Sequence, residues 1–397
     1  MRKILSLFLA LVIVCLMLTG CSEEFIDKFR EDIKQYDDVV LSRERGEIEL
    51  DFYIICEDAT TDRSKEDVER YINLYLNDLY KTTLDIHYLS AAEYEAKALA
   101  DAAVSGADRA DIVLIVGKDM FDKFYNANLL ADITSFYSTK QFGLLNTLIA
   151  APLLQSATVS VDAVDQYGTS YTSNRFYTVP NNHVIGEYEY VIINKQVARY
   201  YNYSNAELNK VITDDDIAAL QAVIGEENVK KVSGIYTDKA NYQAGTYPGD
   251  ATEYHVNVAK YPTADVNEAF LSGFGIVRHE LDTRHVEAEA NISLEAKNAY
   301  NDHYLRCMEV VYSLSEDVTL RNYLQYGYKG TNYTVDENGV ITSYTEGAGV
   351  YKMNILYTGN LFKAYYTTDE NVGWNEETYK NGVEQNKDAV VPTVPAE

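Results

Sequence analysis

The feature that most constrains the fold is a change of hydrophobic period, repeated between residues 50 and 126. Leu50 and Phe52 to Cys56 make a near-continuous apolar run, the pattern of a strand buried on both faces. Ser64-Lys65-Glu66-Asp67 has the form of a capping box, and Val68, Tyr71, Ile72, Tyr75, Leu76 and Leu79 then recur at helical spacing. Leu84 to Tyr88 predicts a second strand, Ala91 to Ala103 an Ala-rich helix, and Ile112 to Val116 a third strand closed by Gly117. Met120 to Asn126 starts a further helix. A strand reaches a parallel neighbour only through a crossover, so this alternation predicts an α/β fold with a parallel sheet.

The pattern breaks after Pro152. The stretch to Arg175 is rich in Ser, Thr and Val and reads as a β excursion or a long loop. Phe176 to Asn182, followed by Tyr188 to Asn194, reads as one long strand interrupted by Pro180 and two asparagines. Thr213 to Asp216 marks a helix start, with acidic groups where the helix dipole favours them. Tyr254 to Tyr261 alternates as a strand, Gly273 to Val277 is a short strand, and Tyr304 to Leu314 is a helix. Asp317 to Tyr326 continues helically and stops at Gly327. Asp336-Glu337-Asn338-Gly339 is a hairpin turn, and Glu376 to Gln385 is a last helix. The tail after Val390 carries Pro392 and Pro395 and is expected to fray.

At the N-terminus, Arg2 and Lys3 precede an apolar run from Ile4 to Leu18, too short to span a bilayer comfortably. Leu18-Thr19-Gly20-Cys21 follows, and its form resembles the lipobox of bacterial lipoproteins. The resemblance implies a signal peptide over 1–20, cleavage before Cys21 and a diacylglycerol thioether on its sulfur. Residues 21–45 are charged and read as a lipidated N-terminus and tether. Loss of Arg2 and Lys3 takes the formal charge from −27 to −29. A chain this acidic, with no basic stripe, is not expected to bind nucleic acid. About 375 residues remain, enough for two lobes. Tyrosine is abundant, 35 residues against 12 Phe and one Trp. Its ring and hydroxyl suit polar ligands with apolar faces, such as sugars, although most tyrosines of such a chain are expected to cap the core. Cys56 and Cys307 sit in apolar stretches and are expected as separately buried thiols.

Several segments resemble the family 1 extracellular solute-binding proteins of ABC importers, the maltose-binding-protein-like group. They are Asp111 to Val116 followed by Phe124 to Thr134; Val179-Pro180-Asn181-Asn182 with Tyr188 to Val197; Leu320 to Tyr333; and Tyr357-Thr358-Gly359-Asn360. With the lipobox they span nearly the whole mature chain. The resemblance implies a two-lobed type II periplasmic-binding-protein fold, with an inter-lobe cleft and hinge crossings. The lobes are expected over 46–180 with 265–326, and over 181–264 with 327–397. The charged stretch Arg278 to His285 departs from the family pattern.

No phosphate loop or nucleophile elbow is present, and Ser272-Gly273-Phe274-Gly275 supplies glycines alone. His279 and His285 stand six apart, not the four that puts both rings on one helical face, so they and Glu287 read as a solvated charged segment. No cofactor and no metal site is expected, and no reaction. A cleft instead needs polar groups at strand ends and rigid aromatic faces. Glu57 and Asp58 follow the first strand, Lys118 and Asp119 the third. Asn181 and Asn182 lie in the proposed hinge strand, Tyr357 and Asn360 near another crossing, and Trp374 in a Gly-Trp-Asn loop. These nine are the candidate ligand contacts. Turn chemistry for the asparagines, packing for Trp374 and helix capping for the charged four are the competing roles. The expected partners are a small solute, most simply a carbohydrate, the permease subunits, and the membrane through Cys21, with the chain a monomer. An exported carbohydrate hydrolase and a structural surface lipoprotein are the other classes the sequence allows.

The anchor is directly testable. Cys21→Ser is expected to leave the chain unlipidated and to move it from the membrane fraction to the soluble fraction. Membrane partitioning equal to wild type would refute the assignment.

Overall fold

The computed structural model describes residues 46–104, 109–164, 170–263, 272–278 and 294–390. The signal and Cys21, the tether, the charged stretch from His279 through Glu287 and the tail after Val390 lie outside the described residues. The main elements in chain order are β1 (Ile48–Ile55), α1 (Asp62–Tyr80), β2 (Thr82–Leu89), α2 (Ala91–Ala102), β3 (Ile112–Val116) and α3 (Gly117–Asn126). Next come α4 (Ala151–Ser156), β4 (Thr158–Val164), β5 (Ser170–Phe176), β6 (Thr178–Pro180) and β7 (Tyr188–Asn194). They are followed by α5 (Asp214–Ile224), β8 (Val229–Gly234), α6 (Asp238–Ala244), β9 (Tyr254–Lys260) and β10 (Ser272–Ile276). The last are α7 (Leu294–Glu316), α8 (Val318–Tyr326), β11 (Tyr333–Val335), β12 (Ile341–Tyr344) and α9 (Glu376–Asp388). The chain forms two compact units and passes between them five times, at 113/114, 276/277, 358/359, 362/363 and 375/376. The expected mixed α/β architecture in two parts, joined by several chain crossings, is what the structure has.

Unit 1 comprises the chain up to Val113, then Val277–Thr358 and Lys363–Asn375. Its sheet has β1 in the centre, parallel to β2 on one side and to the start of β3 on the other. Leu50, Phe52 and Ile54 of β1 are buried, as are Val68, Ile72 and Leu76 at helical spacing on α1. The helix starts earlier than the sequence suggested. Thr61, not Ser64, is the N-cap, and its hydroxyl accepts the Ser64 N–H at 3.3 Å. The Thr61 N–H is itself used by the Val350 carbonyl, which fixes the cap where it is. Asp317 proves to be the N-cap of α8, and Gly327 with φ +76° stops the helix where the sequence placed its end. Cys56 and Cys307 are both buried and free.

The expected boundary at residue 326 is not where unit 1 ends. Residues 327–358 return to the same unit because their backbone completes it. Lys352 O accepts the Glu57 N–H at 3.2 Å and the Thr60 hydroxyl at 2.9 Å. Buried Gln325 donates to Met353 O at 2.7 Å, and buried Arg321 donates to Ile355 O at 3.0 Å. Gly327 ends a helix there, not a domain.

Unit 2 comprises Leu114–Ile276, Gly359–Phe362 and the chain from Glu376. The expected first lobe ran to residue 180, but from Leu114 onward the chain belongs here. The rest of β3 neighbours β10, and β10 pairs antiparallel with β6. The stretch after Pro152 resolves into α4 and the β4–β5 hairpin. A second sheet has the order β8-β7-β9, with both pairings antiparallel. Alternate residues of β7 feed two cores. Val191 and Ile193 pack with Ile217, Leu220 and Ile224 of α5, while Tyr190 and Ile192 pack with Tyr242 of α6. Both faces are covered, so β7 reads as an unbroken apolar run.

The expected single strand over 176–194 is three strands, with β6 and β7 in different sheets. Pro180 offers no N–H to extend β6. Gly186 then turns the chain with φ +48°, and a Cβ placed there would stand 3.0 Å from the Thr263 carbonyl oxygen. Gly186→Ala should therefore destabilise unit 2 by about 1–3 kcal/mol, through both the left-handed backbone and a neighbour that is backbone and cannot rotate away. Urea unfolding of the full chain checks it; an unchanged midpoint would count against this turn geometry.

Candidate functional site

The antiparallel register gathers three strand ends at one edge of the second sheet of unit 2. Tyr188 at the start of β7 lies opposite Gly234 at the end of β8, and Glu189 lies opposite Lys260 at the end of β9. Two tyrosines lie just past those ends, Tyr236 two residues after Gly234 and Tyr261 directly after Lys260, and they are 39% and 48% exposed. Both rings tilt against the buried ring of Tyr188, with centroids 6.3 and 6.1 Å away. Tyr188 in turn stacks on Tyr190 at 5.3 Å. The result is an aromatic surface on a rigid aromatic base.

Each exposed ring sits on a pinned backbone. In the loop of Tyr236, Ile235 O accepts the Tyr190 hydroxyl at 3.0 Å, and the Ile235 N–H donates to Asp238 Oδ2 at 2.8 Å. The Tyr236 N–H donates to Gln385 Oε1 at 3.2 Å. Beyond Tyr261, the Pro262 carbonyl accepts the Val390 N–H at 2.9 Å. Loops fixed before a ligand arrives lose less entropy on binding. Burial, and then the hydrogen bond that Tyr188 donates to Asp388 at 2.8 Å, push the Tyr188 hydroxyl well above the ordinary phenol range. It therefore remains a neutral donor. Exposed Asp388 beside these rings can accept hydrogen bonds from hydroxyls.

Amides of α9 hold this edge together. Buried Gln385 donates to Ile185 O at 3.0 Å and also to Gly186 O. Asn386 donates to His183 O and accepts from the Ile185 N–H, both at 2.8 Å. The segment that leads into β7 is thus bound on both sides of its polar backbone.

The residues singled out in sequence are distributed over both units. In unit 2, Asn181 is buried and donates to Ser272 Oγ at 2.9 Å. Asn182 is buried, accepts from the Ala150 N–H at 3.2 Å and donates to Leu148 O at 2.9 Å. Buried Asn360 accepts the Phe362 N–H at 3.0 Å. The contacts of Asn182 and Asn360 are the backbone-shaping chemistry that competes with ligand contact for these side chains, whereas Asn181 bonds a side chain. Lys118 pairs with Asp122 one helical turn on, and Asp119 is exposed in the first turn of α3. In unit 1, Glu57 and Asp58 are exposed after β1, Tyr357 is half-buried, and Trp374 is buried. The structure brings Asn182 beside the Asn360 segment, since Leu361 donates to the Asn182 carbonyl at 2.8 Å. Sequence reasoning missed Tyr236, Tyr261 and Gln385. The available signal was that Tyr261 directly ends a recognised strand before Pro262; β8 itself went unrecognised, and Tyr236 with it.

No protein-family model matches the sequence, and neither does any curated protein. Among solved structures, the chain is similar to the N-glycan transport solute binding protein NgtS of Streptococcus pneumoniae. That match has 15% identity over 87% of this chain and 84% of that one, with a TM-score of 0.49. It is also similar to an extracellular solute-binding protein family 1 of Alicyclobacillus acidocaldarius, at 9% identity over 89% and 90% with a TM-score of 0.36. A third is the ABC substrate-binding protein Lmo0181 of Listeria monocytogenes in complex with cycloalternan, at 10% identity over 88% and 89% with a TM-score of 0.31.

Removing the α9 clamp tests the geometry. Gln385→Ala strips donors from two carbonyls and an acceptor from the Tyr236 N–H, so it should cost about 1–3 kcal/mol of stability. Chemical denaturation measures this, and a loss below about 0.5 kcal/mol would mean that water replaces the amide without penalty.

Proposed function

We propose that this chain is the solute-binding lipoprotein of an ABC importer, capturing a carbohydrate outside the membrane and delivering it to a permease. The observation that carries this reading is the pinned pair Tyr236 and Tyr261 on the Tyr188 base. A sugar presents C–H faces that pack on aromatic rings, and hydroxyls that need partners when they leave water. Two α/β units joined by repeated crossings supply the connectivity for a type II binding protein that closes by hinge motion. The segment resemblance over 111–134, 179–197, 320–333 and 357–360 points the same way. In this reading Cys21 carries the lipid, the chain faces outward as a monomer, and no reaction is catalysed. Glu57, Asp58 and Tyr357 are the contacts it assigns to unit 1; Asn181, Asn182 and Asn360 shape the strand ends that present the solute surface.

The test is a thermal-shift and calorimetric screen of the full chain against neutral glucan and mannan oligosaccharides. A ligand that binds only the folded state raises its unfolding temperature. For a sugar that binds, Tyr236→Ala and Tyr261→Ala should each lower affinity by about tenfold, which is about 1.4 kcal/mol. Apo stability should change by less than about 0.5 kcal/mol, because both rings are exposed. Binding unaffected by either change would remove this surface from the site, and release of shortened sugars would favour a hydrolase.

A further inference from the structure

The β1–β2 pairing sets two aspartates and a histidine of unit 1 side by side. In the parallel register Asp51 lies opposite Asp85, and Tyr53 opposite His87. Side chains repeat a face every second residue, so all four share one face of the sheet. The opposite face is the apolar one, with Leu50, Phe52, Ile54, Leu84 and Ile86 buried. Two carboxylates directly across a strand pair repel each other. A third, Asp111, stands close and accepts the Asp51 N–H at 2.9 Å. Among the described residues neither Asp51 nor Asp85 pairs with a lysine or arginine. Their partner is His87, whose Nε2 lies 2.7 Å from Asp51 Oδ1 and 3.9 Å from Asp85 Oδ2. The group is short of positive charge.

The imidazole is also held in place. Its ring stacks on Tyr53 with centroids 4.1 Å apart and planes 14° from parallel. Tyr53 is itself tied through its hydroxyl to Asp101 Oδ2 at 2.8 Å. Stacking leaves the Nε2 edge directed at the two carboxylates, as the two distances show.

We propose that Asp51, Asp85 and His87 form a binding site for a divalent transition-metal ion. Their donor atoms all lie within 4.8 Å of one another. A tetrahedral ion about 2.0–2.2 Å from each donor needs donor separations of about 3.3–3.6 Å. The present geometry brackets that range, and small side-chain rotations close it on an ion. His87 binds as the neutral ring through Nε2, with its proton on Nδ1. Two carboxylate oxygens and one imidazole nitrogen, with a fourth position left to water, suit Zn²⁺ and exclude ions that demand thiolate. The ion supplies the charge that the cross-strand aspartates lack. None of these three residues is among those assigned to the solute.

The test is calorimetric titration of the chelator-stripped full chain with Zn²⁺, alongside His87→Gln and Asp85→Asn. Co²⁺ absorption serves as a second readout of coordination. Wild type should take up Zn²⁺ with visible Co²⁺ bands, and each variant should lose at least about tenfold in affinity. Asp85 is exposed, so Asp85→Asn keeps the fold, as circular dichroism will verify, and it decides the matter if His87→Gln is unstable. No Zn²⁺ uptake by wild type, or uptake by Asp85→Asn equal to wild type, overturns the proposal.

Discussion

In unit 2, the segment entering β7 and the Tyr236 loop depend on how one side chain, Gln385, satisfies backbone far away in sequence. It reaches the carbonyls of Ile185 and Gly186 and the N–H of Tyr236. A chain that leaves and re-enters its own units must bring separated segments together without leaving buried backbone groups unpaired. Here the last helix does that for the segment entering β7 and for the loop that follows β8. Buried amides suit the task because each both donates and accepts. Unit 1 shows the same logic with Gln325 and Arg321, which hold the carbonyls of Met353 and Ile355.

That constraint explains why the tyrosine surface is fixed rather than loose. The Tyr236 loop is tied to β7, to α6 and to α9, and the end of β9 is tied to Val390. Side chains on such supports keep their positions without a ligand, which favours recognition of a stiff, weakly charged molecule. The chain's strong negative charge fits a neutral solute better than an anionic one.

The sequence made the regular elements legible where one period dominated. β1, β2, β3, β7 and β9 are strongly apolar or alternating, and α1, α2, α5 and α8 carry their helical spacing openly, whereas the cap of α1 was misplaced by three residues. Element boundaries and membership were less visible, because they depend on long-range hydrogen bonds. Nothing local says that residues 327–358 return to α1, or that β6 and β7 belong to different sheets. The polar strand β8 has Val229, Lys230 and Lys231 before a Gly, a pattern with little strand signal of its own; pairing with β7 makes it a strand. Asn181 and Asn182 were visible as special, but amides in a turn and amides on a ligand look alike in sequence. The Asp51, Asp85 and His87 group was invisible because Asp51 lies 34 residues from Asp85 and 36 from His87 and meets them only through register.

The most direct measurement of the solute-capture account is hydrogen–deuterium exchange of the full chain with and without a saturating neutral oligosaccharide that binds it. The account predicts slower exchange in peptides covering 183–188, 234–238 and 260–263, where the tyrosine surface and its supporting backbone lie. Protection confined to other parts of the chain, with these peptides unchanged, would contradict it.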